Sequence, residues 1–282
     1  MNILVYKFLL GFITGNIIGL FSYITHLLTK SGVLAVILMA TVVCGFGSWP
    51  TWGLLILFFA SSGCIYFLKK RMNATKATSI VEKGHTRDGW QVLANSLPAI
   101  SSLVLFYYTE NQLFLFGYVS GIAGATADTW GSEIGILSKR HPLSIISFKQ
   151  IETGLSGGIS MLGSLASFFG SLLISFTTWL CYRWLPVSEH LTTLFFIVPL
   201  LCGIFGSLVD SLLGATLQAK YRCTICGQLT EQKQHHQQET NQINGLSWMT
   251  NDWVNFFSGC LTVLLSWLLI FLLTNRRKEP GT

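Results

Sequence analysis

Long apolar runs recur along the whole chain, and short polar connections separate them. A hydrocarbon core about 30 Å thick is crossed by roughly 20 apolar residues of helix. These runs are much longer than the alternating segments of about 10 residues in a membrane barrel, so they predict helices. The predicted spans are Val5–Leu28, Val33–Phe46, Thr51–Leu68, Gln91–Tyr108, Gln112–Ile136, Ser156–Cys181, Leu191–Leu217 and Trp253–Leu273. The pattern predicts an all-α, polytopic transmembrane helical bundle of about eight spans, or seven if the short second run does not cross.

Composition agrees with a location in the membrane. Apolar residues make up 51% of the chain and charged residues 11%, with a mean hydropathy of +0.55. Soluble domains carry roughly 25% charged residues, so this chain cannot cover a water-facing surface. The expected partner is therefore the lipid bilayer. A nucleic-acid partner is not expected, because no soluble basic domain accompanies the net charge of +6.

Positive charges lie mainly in the loops that follow the third, fifth and seventh spans. These cations are Lys69, Lys70, Arg71, Lys76, Lys83 and Arg87, then Lys139, Arg140 and Lys149, then Lys220, Arg222 and Lys233. With eight spans the three loops share one face, which the positive-inside rule makes cytoplasmic. The same count places Arg276, Arg277 and Lys278 on the opposite face, which argues against this orientation or against the span count.

Ionisable and amide side chains occur inside several spans, where they are costly and by default indicate function. They are Gln91 and Asn95 in the fourth span, Asp128 and Glu133 in the fifth, Asp210 in the seventh, and Asn251, Asp252 and Asn255 in the eighth. Spans five and seven run toward the cytoplasmic face, and spans four and eight start from it, so these groups are predicted to lie at one depth. Gln91 or Asn95 could instead bond to a neighbouring helix, and Asn251 and Asp252 could cap the eighth helix.

Asp128 and Asp210 are harder to explain structurally, because each is flanked by apolar residues and needs a buried partner. Carboxylates gathered at one depth repel one another unless cations join them. Mg²⁺ can join them, and it usually bridges to substrate phosphates as well. The gathered carboxylates therefore predict a magnesium site at this depth.

A glycine-rich segment and three cations add to this chemistry. The sixth run opens with Gly154-Leu-Ser156-Gly157-Gly158, where backbone N–H groups could approach a phosphate closely, although helix packing would explain the glycines as well. The cations Lys83, Arg87 and Lys149 lie on the same predicted face and could meet further phosphate charge. Carboxylates for Mg²⁺, an anion cradle and basic residues together favour phosphoryl transfer.

Cys223 and Cys226 are separated by two residues, whereas the other cysteines fall in or beside apolar spans. Such a pair followed by Gly resembles a zinc knuckle, and His235 could complete the shell. A full site needs four ligands, and the adjacent His235 and His236 do not readily both serve, so an unmetallated loop is the alternative. A stable disulfide is not expected in a reducing cytoplasm. Composition predicts that the surrounding segment, Gln232–Gln242, is mobile.

Five segments resemble one membrane family. They are Arg87-Asp-Gly-Trp-Gln91-Val-Leu-Ala-Asn95, Ala125-Thr-Ala-Asp128-Thr-Trp-Gly-Ser-Glu133-Ile-Gly, Gly154-Leu-Ser-Gly-Gly158, Gly206-Ser-Leu-Val-Asp210-Ser-Leu-Leu-Gly-Ala-Thr-Leu-Gln218 and Asn251-Asp252-Trp-Val-Asn255. The family contains plant phytyl-phosphate kinase, vertebrate transmembrane protein nineteen and many uncharacterised bacterial and archaeal members. The resemblance divides the chain into N-terminal spans with a basic loop (1–82), a core (83–273) that includes a cytoplasmic loop (218–250), and a basic tail (274–282).

The resemblance implies a kinase that transfers phosphate from a nucleoside triphosphate, CTP, to an isoprenyl monophosphate such as phytyl or geranylgeranyl phosphate. It implies catalytic roles in holding Mg²⁺ and nucleotide for Asp128, Glu133, Asp210 and Asp252. The residues expected to bind the nucleotide phosphates are Gly154, Ser156, Gly157, Gly158, Lys83, Arg87 and Lys149, and those expected to orient substrate are Gln91, Asn95, Asn251 and Asn255. Leu155 stands where the family often has Thr, which puts a hydroxyl contact there in doubt but leaves the N–H contacts.

A transporter or flippase for a lipid phosphate or another anion is the alternative, because intramembrane acids also mark ion and proton pathways. A transporter site should lie near the midplane with access from both faces, whereas these polar groups favour one boundary. A non-catalytic assembly protein would leave the carboxylates unexplained. The expected location is the plasma membrane of a prokaryote, with the polar site facing the cytoplasm.

Overall fold

The computed structural model describes residues 2–71, 86–185 and 188–275, which contain eight α-helices. They are α1 (Ile3–Ile24), α2 (Lys30–Phe46), α3 (Trp49–Arg71), α4 (Gly89–Thr109), α5 (Gln112–Gly135), α6 (Met161–Arg183), α7 (Glu189–Thr216) and α8 (Asn251–Asn275). Six of them are long and apolar enough to cross a membrane; α2 is shorter and α5 is less apolar. The predicted all-α polytopic bundle is confirmed, and each predicted span corresponds to one helix.

Successive helices run in opposite directions. The backbone of Arg87, just before α4, bonds to Leu27 at the end of α1 and to Thr29 at the start of α2. Lys69 at the end of α3 pairs with Glu133 at the end of α5. The ends of α1, α3, α5 and α7 therefore share one face with the starts of α2, α4, α6 and α8, and we call it the site face.

Helix α5 lies at the centre of the bundle and packs against α3, α4, α6, α7 and α8. Its segment 115–124 is buried throughout. Phe116 stacks on Phe195 of α7 with ring centroids 4.0 Å apart, and the hydroxyl of Tyr118 donates to the carbonyl of Thr51 at 2.6 Å. Because its neighbours shield α5 from the surroundings, this helix can carry polar residues that an outer helix in lipid could not.

Large apolar side chains are exposed on the outer helices. On α1 they include Ile17 and Phe21, and on α8 they include Leu268 and Phe271. A water-facing protein rarely exposes apolar surface of this extent. The exposed faces are those expected of a bundle that lies in a bilayer.

Glycines let neighbouring helices approach closely. A Cβ added at Gly170 of α6 would lie 3.0 Å from the carbonyl oxygen of Thr126, and one at Gly121 of α5 would lie 2.8 Å from the Cβ of Ala99 on α4. In membranes such close approach allows van der Waals packing to hold helices together where the hydrophobic effect cannot. The inner helices are therefore held at backbone distance around α5.

The predicted sixth span begins too early. Residues 156–160 form a turn followed by strand β2 (Gly158–Ile159), which pairs antiparallel with β1 (Leu143–Ser144). The backbone of Gly157 has a φ of +85°, which no α-helix contains. Helix α6 begins only at Met161, after Ser160 has capped it by accepting the N–H of Gly163 at 3.1 Å.

The segment between α7 and α8 folds into short strands. They are β3 (Lys220–Arg222), β4 (Leu229–Thr230), β5 (Gln234–His235), β6 (Gln238–Glu239) and β7 (Asn241–Asn244). Strand β3 lies between β4 and β7 in one sheet, and β5 pairs with β6. The segment Gln232–Gln242, for which composition predicts mobility, contains β5, β6 and the first residues of β7.

The close packing at Gly121 can be tested with one added methyl group. Gly121→Ala should lower the free energy of unfolding by about 1–3 kcal/mol, because the new Cβ overpacks the contact with Ala99. Gly53→Ala is the matched control, since Gly53 is also helical but a Cβ there meets nothing within 4 Å. Thermal unfolding of the detergent-solubilised protein should show a lower midpoint for the first variant only. Equal midpoints would contradict the close approach of α4 and α5.

Candidate functional site

A cavity of about 320 Å³ opens among the helix ends at the site face. The sequence-predicted residues that line it are Arg87, Gln91, Asn95, Asp128, Glu133, Gly154, Ser156, Gly157, Gly158, Asp210, Asn251 and Asn255. Segments that are far apart in sequence thus line one cavity. Their position at one end of the bundle agrees with the common depth that the sequence predicts. Their roles in binding and catalysis stay predictions.

Two of the described residues predicted for the phosphate site do not line this cavity, and a third predicted residue, Lys83, lies outside the described residues. Lys149 is exposed on the connection between β1 and β2, and Asp252 follows Asn251 in the first turn of α8 without lining the cavity. The roles expected of these three residues also stay predictions.

The innermost polar residues lie at similar depths. Asn95 and Asp210 are each six residues from the nearer helix end, Asp128 is seven and Asn255 is four. At 1.5 Å per residue these positions are roughly 6–11 Å from the helix ends at the site face, whereas α5 and α7 are roughly 36 and 42 Å long. The site is therefore displaced from the midplane of the bundle toward one boundary.

Asp128 and Asp210 meet at the inner end of the cavity. With Asn95 and Asn255 they line a small inner chamber of about 10 Å³, and the two carboxylates are close enough to interact electrostatically. The hydroxyl of Ser258, on α8, donates to Oδ2 of Asp210 at 2.9 Å. The chamber has about the volume of one water-sized sphere, so it suits a single water molecule or a small hard cation.

Arg87 brings a positive charge to the carboxylates of α5. The N–H of Thr29 donates to the carbonyl of Arg87 at 3.0 Å, and the N–H of Arg87 donates to the carbonyl of Leu27 at 2.9 Å. The guanidinium interacts electrostatically with Glu133 and Asp128. The connection between α1 and α2 therefore holds this cation in place, so the N-terminal helices also build the site.

Lys69, which the sequence places in a basic loop, is buried in the last turn of α3 with 2% of its side chain exposed. Its Nζ forms an ion pair with Oε2 of Glu133. A buried ammonium group needs an opposite charge, and Glu133 supplies it. Glu133, which is predicted to be catalytic, therefore also stabilises the buried charge of Lys69. Lys69 itself lines the cavity.

The two amide side chains of α4 are partly used by their own helix. Asp88 and Gln91 form a capping box, in which the N–H of Gln91 donates to Asp88 Oδ1 and the N–H of Asp88 donates to Gln91 Oε1. Asn95 Nδ2 donates to the carbonyl of Gln91 at 2.9 Å. The amide groups that remain for a ligand in the cavity are Gln91 Nε2, Asn95 Oδ1 and the second N–H of Asn95 Nδ2.

The glycine-rich loop has structural reasons for its glycines. Gly154 and Gly157 have φ of +98° and +85°, which residues with a side chain rarely adopt. A Cβ at Gly157 would also lie 2.5 Å from the Cβ of Ala215 on α7. Both glycines are needed for the backbone path, and Gly157 is also needed for contact with α7. By themselves they therefore do not indicate a phosphate site.

Two residues of the β3–β4 hairpin hold this loop at Ser156. Glu231 Oε1 accepts the N–H of Ser156 at 2.8 Å, and Lys220 Nζ donates to the carbonyl of Ser156 at 2.9 Å. Burial lowers the pKa of Lys220, and the nearby Glu231 opposes this effect. Sequence reasoning missed Glu231, which is buried and lines the cavity, because it stands in a polar segment without a periodic pattern. We call these two contacts the loop clasp.

Carboxyl groups outnumber cationic groups around the cavity. Among the described lining residues, the carboxylates are Asp128, Glu133, Asp210 and Glu231, and the cations are Lys69 and Arg87. A phosphate ligand would be repelled by this excess unless cations accompanied it. In the part of the chain that the structure describes, no three carboxylates come together as a metal-binding group.

A second polar group forms between α7 and α8. Cys223, Cys226, His235 and His236 each offer one ligand atom, and these atoms lie within 4.8 Å of one another. The backbone N–H of Cys226, followed by the side chain of His235, lowers the pKa of Cys223 to about 6. The structure thus unites the three predicted zinc ligands and adds His236, while zinc binding stays a prediction. We call these four residues the Cys/His group.

Comparison with known proteins places the chain in a family. The family model described as integral membrane protein DUF92 matches residues 13–263. An uncharacterized membrane protein of Methanocaldococcus jannaschii is 32% identical over 68% of this chain and 76% of its own length. Protein PGR of Arabidopsis thaliana is 28% identical over 93% of this chain and 95% of its own. Chloroplastic protein VTE6 of the same plant is 24% identical over 88% and 67%.

No solved structure matches the chain. The family match starts well before the five segments on which the sequence resemblance rests, and it includes the second half of α1 and all of α2 and α3. The match agrees with the contribution of the N-terminal helices to the cavity. The resemblance inferred from the motifs is confirmed, and the chain belongs to the integral membrane protein family DUF92.

Proposed function

We propose that the protein is a membrane-embedded kinase that transfers phosphate from CTP to an isoprenyl monophosphate such as phytyl or geranylgeranyl phosphate. The observation that carries the proposal is one cavity that joins buried carboxylates, cations, amides and a glycine-rich loop near one boundary of the bundle. The resemblance to a family that includes plant phytyl-phosphate kinase supplies the substrate class.

The reaction depends mainly on positioning and on neutralisation of charge. An oxygen of the isoprenyl monophosphate forms a bond to the γ-phosphorus of CTP. The bond from that phosphorus to the β–γ bridging oxygen breaks, and CDP leaves. The attacking phosphate is already an anion, so we assign no general base. We assign Arg87 and Lys69 to neutralise phosphate charge, and Asn95 and Asn255 to orient the reacting groups.

The groups around the inner chamber fit Mg²⁺. Asp128 and Asp210 offer carboxylate oxygens, and Asn95 and Asn255 add amide groups. Mg²⁺ is usually held by one or two carboxylates together with substrate phosphates, so a third protein carboxylate is not required. When bound, the ion would neutralise phosphate charge during transfer. The excess of carboxylates in the wall supports a ligand that enters with a divalent cation.

The depth of the site favours a kinase over a transporter or flippase. A lipid phosphate lies at the headgroup level while its prenyl tail extends among the helices, which suits a cavity near one boundary. Transporter sites lie near the midplane between structural repeats and open alternately to both faces. The polar residues here lie roughly 6–11 Å from the site face, a position displaced from the midplane toward one boundary.

We infer that the site face is directed toward the cytoplasm of a prokaryotic cell. The last turn of α3 carries Lys69, Lys70 and Arg71 on this face, and Lys139 and Arg140 follow α5 there. Cytoplasmic loops are enriched in such residues. Cytoplasmic CTP would then reach the cavity without crossing the membrane.

The kinase proposal is tested by phosphate transfer in detergent or liposomes. Purified protein with Mg²⁺, CTP labelled on the γ-phosphate and geranylgeranyl or phytyl monophosphate should yield labelled diphosphate. Asp210→Asn should lower the rate roughly 100-fold or more, because it removes a carboxylate that is proposed to hold the Mg²⁺ accompanying the phosphates. Glu189→Gln is the matched control, since it removes an exposed carboxylate from the opposite end of the same helix.

Chelation of Mg²⁺ should stop transfer, and added Mg²⁺ should restore it. ATP in place of CTP measures the nucleotide preference. If folded protein transfers nothing from either nucleotide to acceptors of several chain lengths, the kinase proposal is wrong. Flux of a labelled lipid phosphate across liposomes would then test the transporter alternative.

The pair Lys69–Glu133 allows structure and chemistry to be separated. Lys69→Met should lower the free energy of unfolding by about 3 kcal/mol, the lower end for a broken buried pair, because Glu133 is 27% exposed. Adding Glu133→Gln should recover most of that stability, since no unpaired charge remains. Transfer activity should stay at least about 10-fold below the parent if both charges serve the phosphates. Full activity in the double variant would assign the pair to structure alone.

The orientation is tested by thiol labelling in intact cells. Gln112→Cys lies on the face opposite the site, and Asn241→Cys lies in β7 on the site face; both positions are exposed. A membrane-impermeant maleimide should label the first variant in intact cells and the second only after permeabilisation. Labelling of the parent chain, which has its own exposed thiols at Cys64 and Cys226, gives the background. The reverse pattern would place the site face outside the cell.

A further inference from the structure

The Cys/His group lies outside the cavity and takes no part in the proposed phosphate transfer. Within the described residues it is the only group of three or more His, Cys, Asp or Glu side chains that could hold a metal ion. We propose that Cys223, Cys226, His235 and His236 form a closed structural zinc site. We further infer that this site fixes the β3–β4 hairpin, through which the loop clasp holds Ser156.

The separations within the group match tetrahedral zinc. Bond lengths of about 2.3 Å to sulfur and 2.0–2.1 Å to nitrogen give S–N edges of about 3.6 Å and S–S edges of about 3.8 Å in a tetrahedron. Cys226 Sγ lies 3.6 Å from His235 Nδ1, and all four ligand atoms lie within 4.8 Å of one another. Binding of an ion would therefore require movements of about 1 Å or less.

The turn that carries the cysteines is already shaped around Cys223. The N–H of Cys223 donates to the carbonyl of Gln228 at 3.0 Å. The N–H of Gly227 donates to the carbonyl of Cys223 at 3.0 Å, and Gly227 has a φ of +71°. These contacts fold the backbone between the two cysteines into a tight turn, which brings both sulfurs into the Cys/His group. The pair is therefore a built knuckle and not merely a sequence coincidence.

The turn between β5 and β6 allows adjacent histidines to serve together. His236 and Gln237 form its two central residues, with φ of +54° and +61°. Two-residue turns of this hand normally contain Asn and Gly, because residues with larger side chains are strained there. The strained turn sets the rings of His235 and His236 with centroids 4.2 Å apart. Adjacent histidines in an extended strand would point to opposite sides, so this turn removes the objection raised by their adjacency.

The hairpin connects the zinc site to the cavity. Lys220 directly precedes Tyr221 and Glu231 directly follows Thr230, the two residues that pair at this end of the hairpin. Lys220 and Glu231 form the loop clasp, and the Cys223–Cys226 knuckle closes the other end of the same hairpin, roughly 10 Å away at 3.3 Å per residue. Four protein ligands leave no coordination position for substrate, so the ion would act on structure only.

Metal content tests the site directly. The full chain, purified in detergent through a tag without histidine, should contain about one zinc per chain by elemental analysis. Cys223→Ser and His236→Ala should each lower this to below about 0.2, because a three-ligand remnant binds zinc much more weakly. Cys64→Ser, which removes an exposed thiol from α3, and His190→Ala, which changes a histidine on α7, should keep full zinc. Cobalt substitution should give the absorption of a tetrahedral site with two thiolates.

Parent protein purified with zinc present but nearly free of it would overturn the proposal. Full zinc and an unchanged cobalt spectrum in His236→Ala would overturn the assignment of His236. Gel filtration and thermal unfolding show whether each variant is folded. A variant that fails to fold is replaced by parent protein from which a chelator has removed the metal.

Hydrogen exchange tests the connection to the cavity without any activity assay. Removal of zinc should raise the exchange rate of the Ser156 amide at least about 10-fold, because its acceptor Glu231 is no longer held. The amide of Ile122, in the buried centre of α5, should not change and serves as the internal control. Bound zinc with unchanged exchange at Ser156 would leave the metal site standing and overturn the connection.

Discussion

Buried charge inside a membrane bundle constrains this structure more than any other feature. Ionisable groups cost several kcal/mol in the hydrocarbon region unless other groups satisfy them. Helix α5 carries Asp128 and Glu133 through the centre of the bundle, so partners must come from other helices. Lys69 comes from α3, and Arg87 comes from the segment just before α4. Asp210 accepts a hydrogen bond from the hydroxyl of Ser258.

This need for partners explains why the N-terminal helices, which precede the motifs, cannot be separated from the rest of the site. The cations that face α5 come from α3 and from a backbone held by the connection between α1 and α2. Glycines such as Gly121 and Gly170 bring α4 and α6 to backbone distance of α5, which keeps the partners within reach. The apolar N-terminal helices are thus part of the site, although their own sequence shows only a hydrophobic pattern.

Much of the fold and part of the site could be predicted from the sequence, because both follow from the lengths of the apolar runs. The chain crosses the bundle an even number of times between successive members of the set Asn95, Asp128, Asp210 and Asn255, so all four lie toward the same face. The number of residues between each of them and its helix end sets their depth. Contacts that depend on tertiary detail could not be predicted. Lys69 stands beside Lys70 and Arg71 with nothing to distinguish it, and Glu231 reaches the cavity only because β3 pairs with β4.

The loop clasp also limits how the glycine-rich loop can bind phosphate. The carboxylate of Glu231 already accepts the N–H of Ser156. This backbone donor of the loop is therefore occupied by an acidic side chain of the same protein. A phosphate at the same N–H would have to displace Glu231, and it would be repelled by that carboxylate if it lay nearby. Either the phosphate uses other donors, such as Arg87 and Lys69, or the β3–β4 hairpin moves when it binds. The position of the hairpin therefore controls which donors face the cavity, and this gives the polar segment between α7 and α8 a direct influence on a site built by the helices.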